Sequence, residues 1–152
     1  MHLATYVGLL HHAERTLADA FRQVGEGHGD EPDVRSTCVV LAGACDDHVE
    51  RLAPVVNRYG EHAETEPERL RVTALEGTRS GAVGLLRDLQ DLYALASFVD
   101  ITWTVVAQAA RGLRDSDLLD VVESCERDTD RQLTWLRTRV KQSAPQALIA
   151  AR

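Results

Sequence analysis

Lysine is almost missing from this chain: Lys141 stands alone, and nearly all the positive charge is arginine. No basic cluster forms, and the net charge is −7. That balance argues against a nucleic-acid partner or an anionic membrane surface. Aromatic residues make up 5% of the chain and prolines number four, while Leu, Ala, Val and Arg are abundant. Such a composition favours helices over sheets. The three cysteines are an odd number and make no disulfide framework. The opening MHLATYVGLLHHAERT shows no basic leader and no small-residue cleavage site, so a reducing cytoplasm is the expected location. A glycine-rich phosphate loop, a serine-centred elbow, a helical His-Glu-x-x-His and a Cys-x-x-Cys pair are all missing. The chemistries those motifs carry find no support, and no reaction is assigned.

One long apolar run is present. In Leu92–Ala110 the only charged residue is Asp100. Ser97, Thr102, Thr104 and Gln108 interrupt the run, and Arg87, Asp88 and Asp91 precede it, which makes it a poor membrane span. It reads instead as the core helix of a soluble bundle. A carboxylate buried there needs a partner, a proton or a metal.

A first helix is expected from about Leu3 to Val24. Leu3, Val7, Leu10, Glu14, Leu17, Phe21 and Val24 recur at alternating steps of four and three, the seam of a helix packed at a shallow angle. Glycines in Gly25–Gly29 should break it. A second helix follows from Asp30 as its cap, with Pro32 in the first turn, and Pro54 should kink or end it. Its seam is Val34, Cys38, Leu41, Cys45, His48, Leu52 and Val55. The short loop makes these two helices antiparallel neighbours and sets Glu14 level with Cys45 and His48.

Residues 57–81 form a polar crossover, with a short helix expected around Pro67–Thr73, capped by Thr65 and anchored by Leu70. The third helix runs from near Ser80 to about Leu113. Its seam is Ala82, Leu86, Leu89, Tyr93, Ala96, Asp100, Trp103, Ala107 and Ala110, with Trp103 read as packing. A second apolar row, Leu85, Leu92, Leu95, Val99 and Val106, needs cover from the crossover or from a second subunit. Gly112 and Asp115 mark the break into a fourth helix, Ser116 to Ser143, which Pro145 should stop. Its seam is Leu119, Val122, Glu126, Thr129, Leu133, Leu136 and Val140. Residues 146–152 make a tail, flexible or docked through Leu148 and Ile149.

Four helices therefore each carry polar residues near mid-seam: Glu14, Cys45 with His48, Asp100, and Glu126 with Thr129. With the single long crossover, this resembles the ferritin-like superfamily over Leu3 to Ser143. That family's site takes one Glu from each of two helices and a Glu-x-x-His pair from each of the others. The fold the resemblance implies is all-α, an antiparallel four-helix bundle over residues 1–145. Here Cys45 stands in place of a bridging Glu, Thr129 in place of the second His, and Asp100 in place of a Glu. The resemblance implies a degenerate di-iron site. Its candidate metal ligands are Glu14, His48, Asp100, Glu126 and Cys45, for iron or another divalent transition metal.

Two functions stay open. One is metal binding in the bundle core. The other is a metal-free bundle acting as a structural or interaction module, with a homodimer expected through the third helix.

Overall fold

The computed structural model describes residues 2–59, 70 and 72–150. Among these, the chain is all-helical: α1 (His2–Gly27), α2 (Pro32–Tyr59), α3 (Gly81–Leu113), α4 (Ser116–Pro145) and a closing π-helical turn (Gln146–Ala150). α1 packs chiefly on α2 and α3 chiefly on α4; the pairs join mainly through α1 and α3.

The seams of α1 and α2 explain the first pair. Every one of Leu3, Val7, Leu10, Glu14, Leu17, Phe21 and Val24 is buried, as is every one of Val34, Cys38, Leu41, Cys45, His48, Leu52 and Val55. α1 overruns the glycines expected to break it. A Cβ on Gly25 would sit 2.9 Å from that of Cys38, so this glycine permits close helix contact rather than a turn. The reversal comes at His28–Asp30 instead. Glu31, one residue after the expected cap, accepts the first helical bond of α2, from Arg35, and Pro32 takes the first helical position. Pro54 does not end α2, which runs five residues further. Its ring faces solvent, where water can serve the carbonyl that lost its amide partner.

Of the short helix expected around Pro67–Thr73, Leu70, Val72 and Thr73 are described and are not helical; its other residues and Thr65 lie outside the described set. The returning limb is pinned where it meets α3. The Asp88 carboxylate is buried and contacts His28 Nε2 at 2.7 Å, and it accepts from the Arg79 amide at 2.9 Å and from Arg79 Nη1 at 2.7 Å. This staple ties the end of α1 to the start of α3.

α3 is long and apolar enough to cross a membrane by composition. Its apolar rows have another use: Leu85, Leu92, Leu95, Val99 and Val106 are all buried within the single chain. The second apolar row therefore closes internally. At the C-terminus of α3, Arg114 adopts the left-handed conformation (φ 56°), and Asp115 caps α4 by accepting from the Leu118 amide at 3.1 Å.

α4 departs from part of its expected seam. The buried positions are Leu118, Val122, Cys125, Thr129, Gln132, Leu136 and Ser143, while Leu119, Glu126, Leu133 and Val140 are only partly buried. α4 runs to Pro145 and passes directly into the π turn. That turn docks through Ala147; Leu148 and Ile149 stay exposed.

Candidate functional site: a buried carboxylate–imidazole network

The site lies where all four helices contribute a polar side chain to the interior. α1 supplies Glu14 from mid-seam, because Leu10, four residues before it, and Leu17, three after, fix this face inward. α2 supplies His48 one helical turn after Cys45. α3 supplies Trp103 and α4 supplies Asp128. Glu14, His48 and Trp103 are fully buried, and the Asp128 side chain retains 29% exposure.

The geometry is a chain of polar contacts. Trp103 Nε1 donates to Glu14 Oε1 at 2.8 Å. His48 Nδ1 contacts the same oxygen at 2.9 Å, and His48 Nε2 contacts Asp128 Oδ2 at 3.0 Å. The imidazole and indole rings meet edge to face, 6.1 Å between centroids. Arg131 Nη1 reaches the other Asp128 oxygen at 3.3 Å, which carries the network to the surface.

A ring with a carboxylate at each nitrogen is best served by two N–H donors, the imidazolium. Burial works against that charge, but the Cys125 sulfur and the Glu14 carboxylate outweigh it and raise the His48 pKa to about 11. Cys45 lies beside Glu14. Its thiol is pushed well above the ordinary value, by burial first and then by the Glu14 charge, so it stays protonated. Gln132 Nε2 donates to Cys45 Sγ at 3.2 Å and to the Leu41 carbonyl at 3.2 Å.

The expected candidate ligands separate into two groups. Glu14, His48 and Cys45 come together in the core. Asp100 and Glu126 are half-buried at the junction of α3 and α4. Burial raises the pKa of each. Asp130 adds to the Asp100 shift; at Glu126, Asp100, Asp130 and Glu123 add to it while Arg111 opposes. No hydrogen bond or ion pair joins the two groups among the described residues. Thr129 turns back on its own helix, donating to the Cys125 carbonyl at 2.8 Å.

The ligands that the resemblance implies are not gathered at one point: Glu14 Oε2 is buried without a hydrogen-bond partner among the described residues, while Asp100 and Glu126 stand apart from it. Carboxylates on opposite ring nitrogens cannot share one ion with that ring. Among the described residues, no group of three or more His, Cys, Asp or Glu side chains is arranged to hold an ion.

Three members of the network escaped the sequence reading: Trp103, Asp128 and Gln132. Trp103 carried a usable signal, since a buried indole N–H needs an acceptor and Glu14 lies on a facing seam. Asp128 and Gln132 lie off the expected α4 seam, of which Val122, Thr129 and Leu136 are buried as expected while Leu119, Glu126, Leu133 and Val140 are only partly so. No family model, curated protein or solved structure matches the chain.

Proposed function

We propose that this protein is a metal-free four-helix bundle acting as a structural and interaction module, ferritin-like in its antiparallel arrangement and long crossover. In it, a buried ion-pair network occupies the height at which the ferritin-like family carries metal. The observation that carries the reading is that both His48 nitrogens are engaged by carboxylates, Glu14 from α1 and Asp128 from α4. A protonated imidazole has no lone pair for a metal.

The antiparallel arrangement is supported by the order of contacts between α1 and α2. Gly25 lies against Cys38, Arg22 pairs with Asp46 and Glu14 pairs with His48, one number falling as the other rises. A cytoplasmic location goes with this reading, since Cys38, Cys45 and Cys125 are all free thiols.

Elemental analysis of protein purified without a metal-affinity tag tests the reading. The expected result is far less than one metal per chain, unchanged by His48→Ala. A stoichiometric metal that disappears in His48→Ala overturns it.

A further inference from the structure

Between α3 and the limb that returns to it, residues 72–79, lies a cavity of about 530 Å³. That is the size of a site for one small organic molecule. On α3, Asp91, Ala94, Leu95 and Phe98 stand at i, i+3, i+4 and i+7 and so share the helix face that forms one wall. On the limb, Val72 and Leu75 line the same space and pack against the core.

The limb is held as an arch. Arg79 fastens it to α3: its Nη1 donates to Asp88 Oδ1 at 2.7 Å and to Asp91 Oδ2 at 2.9 Å. Gly77 and Gly81, on either side of that fastening, both take positive φ (118° and 77°), bends that any side chain would strain. The cavity is therefore pre-formed, as small-molecule sites usually are.

We propose that this cavity binds a small primary amine with an unbranched apolar body, the body lying on Leu75, Leu95 and Phe98 and the ammonium head on Asp91. The proposal goes beyond the interaction-module reading and does not rest on it.

Charge selects the head. One guanidinium nitrogen serves two carboxylates here, and Glu76 adds a third acid to the cavity's lining. The stretch leading into the limb, residues 60–71, carries Glu61, Glu64, Glu66 and Glu68 against Arg69 and Arg71, and the whole chain carries −7. A cation is drawn to such a surface. An anion would have to compete with Asp88 and Asp91 for Arg79, the one basic side chain among the described residues that line the cavity.

Apolar surface selects the body. Val72, Leu75, Ala94, Leu95 and Phe98 present only hydrocarbon side chains. A straight alkyl chain laid along them gains with each methylene it buries.

Titration of the nitrogen-labelled full chain with octylamine, octanol and octanoate, one tail with three heads, tests this by amide chemical shifts. Octylamine should shift the signals of residues 72–79 and 91–98, and should bind at least about fivefold tighter than octanoate, with octanol between. Asp91→Asn should bring octylamine down to the affinity of octanol and leave octanol unchanged. Ala94→Trp, at an exposed site, should fill the cavity and weaken all three at least about tenfold, with an unchanged helical circular-dichroism spectrum. Should the tryptophan disturb folding, Asp91→Asn carries the test alone. The absence of a saturable shift in these residues, octanoate bound as tightly as octylamine, or an octylamine affinity indifferent to both variants overturns the proposal. None of these results touches the metal-free reading, which is read from elemental analysis.

Discussion

Trp103 and His48 meet at a single atom, Glu14 Oε1: the indole donates to it at 2.8 Å and the imidazole contacts it at 2.9 Å. Three helices are thereby joined by one fully buried carboxylate oxygen. Trp103→Phe removes the donor and leaves part of the indole's volume unfilled. It should cost at least about 1–3 kcal/mol, the worth of a buried hydrogen bond to a charged group, with the lost packing on top. Urea unfolding against wild type checks the figure, and an unchanged midpoint would show that the bond to Glu14 adds no net stability.

Removing one member of the ion pair should cost more than removing both. Glu14→Leu alone strips His48 of a counter-charge in the core and should destabilise by about 3–5 kcal/mol. Glu14→Leu combined with His48→Leu should recover part of that loss, because no charge stays buried, while the Trp103 N–H is left without its acceptor. Thermal melts of the two single variants and the double variant make the comparison. A double variant as unstable as the sum of the singles contradicts the coupling.

The pH dependence has a definite sign. His48 has its pKa raised in the folded chain from 6.5 to about 11. The contribution of its ionised form is therefore complete below pH 6.5 and is lost as the pH climbs toward 11. Between about pH 7 and about pH 10 the urea midpoint should fall in wild type, and fall less in His48→Gln. Equal slopes in the two proteins would remove His48 as the cause.

On α4, neighbouring acids should respond in opposite directions. Asp128 holds His48, so Asp128→Asn should destabilise by about 1–3 kcal/mol. Glu126 is partly buried among like charges, so Glu126→Gln should be neutral or stabilising by up to about 0.5 kcal/mol. Chemical denaturation of this pair tests the observed register of α4 against the one its leucines suggest.

The contrast between α1 and α4 shows what the sequence could and could not convey. On α1 and α2 the apolar positions are spaced without ambiguity, and all fourteen seam residues proved buried. α4 offers two competing rows. Leu119 and Leu133 favour one, but the other carries Leu118, Cys125 and Gln132, and it is the one buried. Periodicity weighs Leu133 above Gln132; the structure buries Gln132, whose amide finds the Leu41 carbonyl and Cys45. That bond spans distant parts of the chain, and no local pattern announces it. The staple of His28 on Asp88 was invisible for the same reason, since its residues are sixty apart. Placing Glu14 level with His48 succeeded because a short loop fixes the register between adjacent helices. Placing Glu126 with them failed because Cys125, about 100° away around the helix, is the residue turned inward.

The state of the His48 ring tests the central claim most directly. Long-range proton–nitrogen correlation spectra at pH 8, with the ring nitrogens labelled, report whether each carries a proton. Both His48 nitrogens should show the imidazolium signature, with no change on adding or chelating divalent metal. A neutral ring that titrates near its ordinary value, or a nitrogen shifted by bound metal, would contradict the clamp between Glu14 and Asp128 and the metal-free reading built on it.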